Sequence, residues 1–221
     1  MKQASRWALW LTLALVIVAA FGGETKPAKG FLGETGRILY FHVPNAWASF
    51  VAFVAAGVWS LRFLFGGRRA THDRAAHAAV EIGLLFCVLA TLSGAIWARV
   101  QWGAFWNWDP RQTSITLALL FYGAYLALRG AIEDRDSRAR LAAAYAVLGL
   151  VVAPFLYFVL PRLAEFTLHP EPVINESGRI EMERPMLMVL AGGAACFTVL
   201  FFWIHNLRCR LAALDEITAV E

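Results

Sequence analysis

Residues 97–112 read WARVQWGAFWNWDPRQ, and this stretch decides the fold. Four of the nine tryptophans stand in it, Trp97, Trp102, Trp106 and Trp108, and Asp109 and Arg111 close it. Long apolar runs flank it on both sides, so it reads as a short polar-aromatic connector between two membrane helices. Asp109 argues for a place outside the hydrocarbon, because an aspartate at the centre of a membrane helix costs about 2.5–3.5 kcal/mol on insertion scales. As a helix, the stretch would put Trp102, Phe105 and Trp106 at i, i+3 and i+4. Three rings would then share one face and form a flat apolar shelf in the membrane interface, able to anchor the chain or to hold a flat ligand.

Composition points the same way. Apolar residues make up 59% of 221 positions and charged residues only 16%, too apolar for an ordinary soluble domain. The charges collect between apolar runs, as in a polytopic membrane protein. The fold class expected is an all-α, six-helix transmembrane bundle with a tryptophan-rich interfacial loop, forming one membrane domain over residues 1–221. The formal net charge of +4 suits loops beside anionic lipid. No basic aromatic patch points to nucleic acid, and the partner that composition implies is the lipid bilayer.

Six spans are expected, at about 7–21, 45–65, 77–98, 113–128, 141–160 and 186–205. The first follows Lys2 and Arg6 and is short, so it also resembles a signal peptide, with Ala20 and Gly22 as small residues for cleavage. The total span count favours its retention as a helix. An interfacial helix is expected over 33–41, and Pro44 in His42-Val43-Pro44 sets a break before the second span. The start of the fourth span is the best specified: Asp109 as N-cap, Pro110 at the first helical position and Gln112 at the third make a capping-box pattern. Pro154 is expected to kink the fifth span. A short charged tail is expected to follow His205.

Six spans put both termini on one side. Twelve of the twenty Lys/Arg then lie on the side of the termini, the 66–76 loop and the 129–140 loop, with Arg62 near its helix end counted there, so these are expected to face the cytoplasm. His42, the tryptophan connector and His169 fall at the outer face, while His72, His77 and His205 fall at the cytoplasmic side. Cys87 and Cys196 lie inside spans and Cys209 in the tail. With no CxxC, disulfide exchange is not expected of this chain. With no GxxxxGK[ST] loop, neither is ATP hydrolysis by that machinery.

Two outer histidines thus bracket an aromatic connector. A haem needs a large apolar face, partners for two propionates, and one or two axial ligands on opposite sides of the iron. His42 and His169, on separate segments, suit the axial positions, and Arg37, Arg99 and Arg111 are candidate propionate partners. Each feature also has a plainer reading. Interfacial tryptophans form membrane belts, Asp109 caps a helix, arginines anchor at headgroups, and loop histidines are solvated. Glu81, at i+4 from His77, is explained by a local pair near the cytoplasmic face.

The wording of the motifs is more specific. Trp102-Gly103-x-x-Trp106-x-Trp108-Asp109-x-Arg111 resembles the tryptophan-rich signature of the haem-handling membrane proteins of cytochrome c biogenesis. Tyr40-x-His42-Val43-Pro44-x-Ala46-Trp47 resembles the stretch that carries the first external histidine in the smaller branch of that superfamily. That branch, known as cytochrome c maturation protein C or haem exporter protein C, matches this chain in length and span count.

The resemblance implies haem b held at the outer face of the bacterial inner membrane by two histidines, here His42 and His169, with Trp102, Trp106, Trp108 and Asp109 in the connector. It also implies delivery of haem to a membrane-tethered haem chaperone. The partners it implies are an ABC-type ATPase, the membrane subunit of that ATPase and a small single-span membrane protein. The family's role is not enzymatic. Two other readings stay open to the sequence: a haem lyase that joins haem to apocytochrome c, and a cofactor-free transporter or assembly scaffold. Haem lyases of the superfamily carry extra histidines within their spans, and none is expected near mid-membrane here.

Overall fold

A computed structural model describes residues 3–22, 33–170 and 182–218. The described residues are helical with no strand. The elements are α1 (Gln3–Gly22), a 3-10 helix (Gly33–Ile38), α2 (Leu39–Phe65), α3 (Ala70–Trp102), α4 (Pro110–Ala131), α5 (Arg135–Pro154), a π-helical turn (Phe155–Val159), α6 (Leu160–Leu163) and α7 (Arg184–Thr218). Among the described residues five stretches are long and apolar enough to cross a bilayer: Glu34–Phe65, Ala70–Trp102, Pro110–Ala131, Arg135–Leu163 and Arg184–Asp215. The sixth long helix, α1, has 20 residues and packs against α7, with Trp10 edge-on to Trp203.

α2 is the centre of the bundle and packs on α3, α5 and α7. Its buried face carries Ala48, Ala52, Phe53 and Ala56, and Phe53 stacks on Tyr122 of α4 with ring centroids 3.5 Å apart. Small residues let the backbones approach closely, which is how membrane helices gain packing where lipid removes a hydrophobic drive.

Pro44 does not break the chain. It lies inside α2, so His42 belongs to the first turn of that helix rather than to a loop. A proline in that position leaves the Tyr40 carbonyl without its helical partner. Gly193 of α7 closes on this point, since a Cβ there would lie 3.1 Å from the Pro44 ring and 3.4 Å from the Tyr40 oxygen. Close packing at a buried proline offsets the lost bond, and the interfacial helix expected over 33–41 becomes the 3-10 helix that leads into α2.

α3 continues to Trp102, so Trp97 and Arg99 are helical and the connector proper is residues 103–109. Gly103 stops the helix at φ 80°, a conformation open to glycine at no steric cost. Phe105 and Trp106 therefore leave the helix, and the flat helical shelf is not formed. α4 starts as expected: Asp109 and Gln112 make the full capping box, with Pro110 in the first turn. After Pro154 the helix widens into the π-helical turn, a common consequence of a lost backbone donor. The expected tail is instead helix, because α7 runs 35 residues to Thr218, about 52 Å at 1.5 Å per residue.

Candidate functional site

The site is built where the connector meets the segment after α6. Trp108 stands in the left-handed region, φ 55°, and turns the chain into Asp109. Gln112 holds that turn from within α4, its side-chain oxygen accepting the N–H of Asn107 at 2.8 Å and of Asp109 at 3.3 Å. Asp109 is buried, 4% exposed. One carboxylate oxygen accepts the Arg111 N–H at 2.9 Å and faces the His169 Nδ1 at 2.6 Å. The other accepts the Thr167 hydroxyl at 2.8 Å and the Leu168 N–H at 2.7 Å. Burial opposes ionisation of Asp109, but the hydrogen bonds from the His169 ring and from the Arg111 and Leu168 amides outweigh it. They hold the carboxyl well below the usual carboxylate range.

A carboxylate only accepts, so His169 donates through Nδ1–H, and in the neutral ring Nε2 then carries the lone pair. His42 reaches the same state by a different route. Its Nδ1 lies 3.0 Å from the Ala90 carbonyl and 3.2 Å from the Ser93 hydroxyl oxygen, both on α3. The Ser93 proton already goes to the Leu89 and Ala90 carbonyls, so that oxygen can only accept from His42. Gly94 makes room for the ring, because a Cβ there would lie 2.8 Å from His42 Cε1. Among the described residues neither Nε2 takes a hydrogen bond. Both imidazoles lie against α3, His42 on Ala90 and Ser93 and His169 beside Trp97 and Trp102 further along the same helix.

Trp102 stands edge-on to both His169 (4.8 Å) and Trp97 (4.9 Å). Trp106 and Trp108 stand edge-on to each other at 5.9 Å, with Trp108 68% exposed. The aromatic lining is thus two perpendicular pairs rather than a flat shelf. Of the three candidate propionate partners, Arg37 is engaged by Glu34 and the Ala20 carbonyl. Arg99 caps its own helix at the Gly103 carbonyl and lies 5.8 Å over Phe105. Arg111 makes no side-chain hydrogen bond among the described residues, and its charged neighbours are the Asp109 carboxylate and the Arg162 guanidinium.

The packing of Trp97 on Trp102 and His169, the roles of Thr167, Ser93 and Gly94, and the second role of Gln112 were not expected from the sequence. Gly94, a glycine inside an apolar helix, was the one signal that could have marked the seat of His42. The Glu81 pair is also wider than expected, because Arg208 of α7 joins it at 3.0 Å beside His77 at 3.6 Å.

Among the described residues no group of three or more His, Cys, Asp or Glu is placed to hold a metal ion. A structural zinc site takes four protein ligands and a catalytic one three. Two imidazoles with their Nδ1 atoms tied back suit a metal that brings its own equatorial ligands. Fold and site together describe a multi-pass helical membrane protein with two histidines, each tied back through Nδ1, set beside aromatic rings. The chain belongs to the Heme exporter protein C family, whose model matches residues 1–220. It is 35% identical over 204 residues to Heme exporter protein C of Bradyrhizobium diazoefficiens, covering 91% of this chain and 76% of the relative. It is 32% identical over 215 residues to the protein of that name from Haemophilus influenzae, covering 94% and 83%. A Marchantia polymorpha mitochondrial protein, named as ccmC-like and for cytochrome c biosynthesis, is 30% identical over 185 residues, 82% of this chain and 76% of its own length.

Proposed function

We propose that this chain is the haem-loading platform of cytochrome c maturation. It holds haem b between His42 and His169 and passes it to a membrane-tethered haem chaperone. The observation that carries the reading is the matched state of the two imidazoles, each with Nδ1 engaged and Nε2 bare. Trp102 packs the His169 side, Trp106 and Trp108 line the open edge, and Arg111 meets a propionate. Asp109 orients His169 rather than touching the cargo. Haem is cargo here and the chain is a carrier, not an enzyme. It works beside an ABC-type ATPase, the membrane subunit of that ATPase and a small single-span protein. The twelve-to-eight distribution of Lys/Arg supports placing both termini in the cytoplasm and the site on the outer face of the inner membrane, in a single membrane domain.

The test is the absorption spectrum and haem content of purified protein, normalised to protein in the membrane. His42→Ala and His169→Ala each lose the six-coordinate spectrum and fail to load the chaperone. Retention of the parent spectrum by both variants would remove the axial-ligand assignment.

A further inference from the structure

The two histidines are held unequally. His169 donates its Nδ1–H to a buried carboxylate at 2.6 Å, a charge-assisted bond in the short range. His42 donates to neutral acceptors, a backbone carbonyl at 3.0 Å and a serine oxygen at 3.2 Å. A carboxylate behind an imidazole fixes the ring and raises its basicity toward a metal, and a neutral carbonyl does so less. Asp109 also fixes the backbone that carries His169, through the Thr167 hydroxyl and the Leu168 amide. His169 therefore cannot swing away without breaking a set of bonds that converge on one carboxylate. Among the described residues the hydrogen bonds of His42 are the two that its ring makes with α3.

We propose that Asp109 is a positioning residue that makes His169 the strong, retained iron ligand and leaves His42 as the exchangeable one. The proposal rests on the haem reading and adds an order of events to it. When the cargo leaves, the iron–His42 bond breaks first, with the electron pair returning to His42 Nε2, while His169 stays bound. The stronger donation through His169 also favours the ferric over the ferrous ion.

The first experiment uses the haem-loaded wild-type protein. Cyanide displaces one imidazole from ferric haem, and the bared ring is then carbethoxylated with diethyl pyrocarbonate and located by mass spectrometry. The expected result is modification at His42 with His169 protected, and modification at His169 would overturn the proposal. The second experiment compares Asp109→Asn, Asp109→Glu and Thr167→Ala by redox titration and by the rate of cyanide binding. Asp109→Asn shifts the ferric-to-ferrous preference at least tenfold toward ferrous, about 59 mV for one electron, and binds cyanide at least tenfold faster. Asp109→Glu restores part of both, and Thr167→Ala, which loosens the same segment but keeps the carboxylate, leaves the potential in place. A potential unmoved in Asp109→Asn, or moved equally by Thr167→Ala, would refute the inference. Failure of the parent reading looks different, since the wild-type protein would then lack a two-histidine spectrum from the outset.

Discussion

Trp102, Trp106 and Trp108 come from one motif but do different work. Trp102 is packed edge-on to His169 and Trp97, while Trp106 and Trp108 pair with each other. Removing one ring forfeits its burial plus roughly 0.5–1.5 kcal/mol of ring–ring preference. Single Trp→Ala variants therefore keep haem in reduced amount, and Trp102→Ala disturbs the spectrum more than Trp106→Ala because it frees the His169 ring. Haem content and band shape of the three variants check this ordering. Asp109→Ala is a compound case: it removes a helix cap, about 1 kcal/mol, together with the bonds to His169, Thr167 and Leu168. At this scale the sequence was partly legible. The spacing of Asp109, Pro110 and Gln112 specified the cap because capping is local. The link from Asp109 to His169 spans 60 positions and has no local signature.

The helices that seat His42 depend on small residues at particular heights. Gly94 lies under the ring, and any Cβ there would stand 2.8 Å from Cε1. Gly94→Val is expected to leave α3 helical, since valine is tolerated in membrane helices, yet to push the His42 ring off Ala90 and Ser93. The measurement is haem per inserted protein, with a fall expected while helical content by circular dichroism stays constant. Unchanged haem content would show that the seat on α3 does not matter. Helix ends were the part of the fold hardest to read. Hydropathy marks where a chain can lie in lipid, not where a helix stops, so α7 outran its apolar stretch to Thr218 and α3 carried Trp97 and Trp102. Pro44 misled for a tertiary reason, because the approach of Gly193 that accommodates it comes from a helix about 150 positions away.

Across the whole molecule, the connector end and the opposite end carry different chemistry. The opposite end is tied by charge: Asp73 of α3 pairs with Arg129 of α4 at 2.6 Å, and Glu81 of α3 with Arg208 of α7 at 3.0 Å. Reporter fusions after Gly103 are expected to read as external, and fusions after Arg69 and Arg135 as cytoplasmic. A cytoplasmic reading after Gly103 would put the histidines in the wrong compartment and end the functional proposal. The central claim is tested most directly by an experimental structure of the haem-loaded protein. Iron is expected between His42 Nε2 and His169 Nε2, the two nitrogens about 4 Å apart if each bond is about 2 Å, with Asp109 still on His169 Nδ1. Iron ligated by any other pair of residues would contradict it.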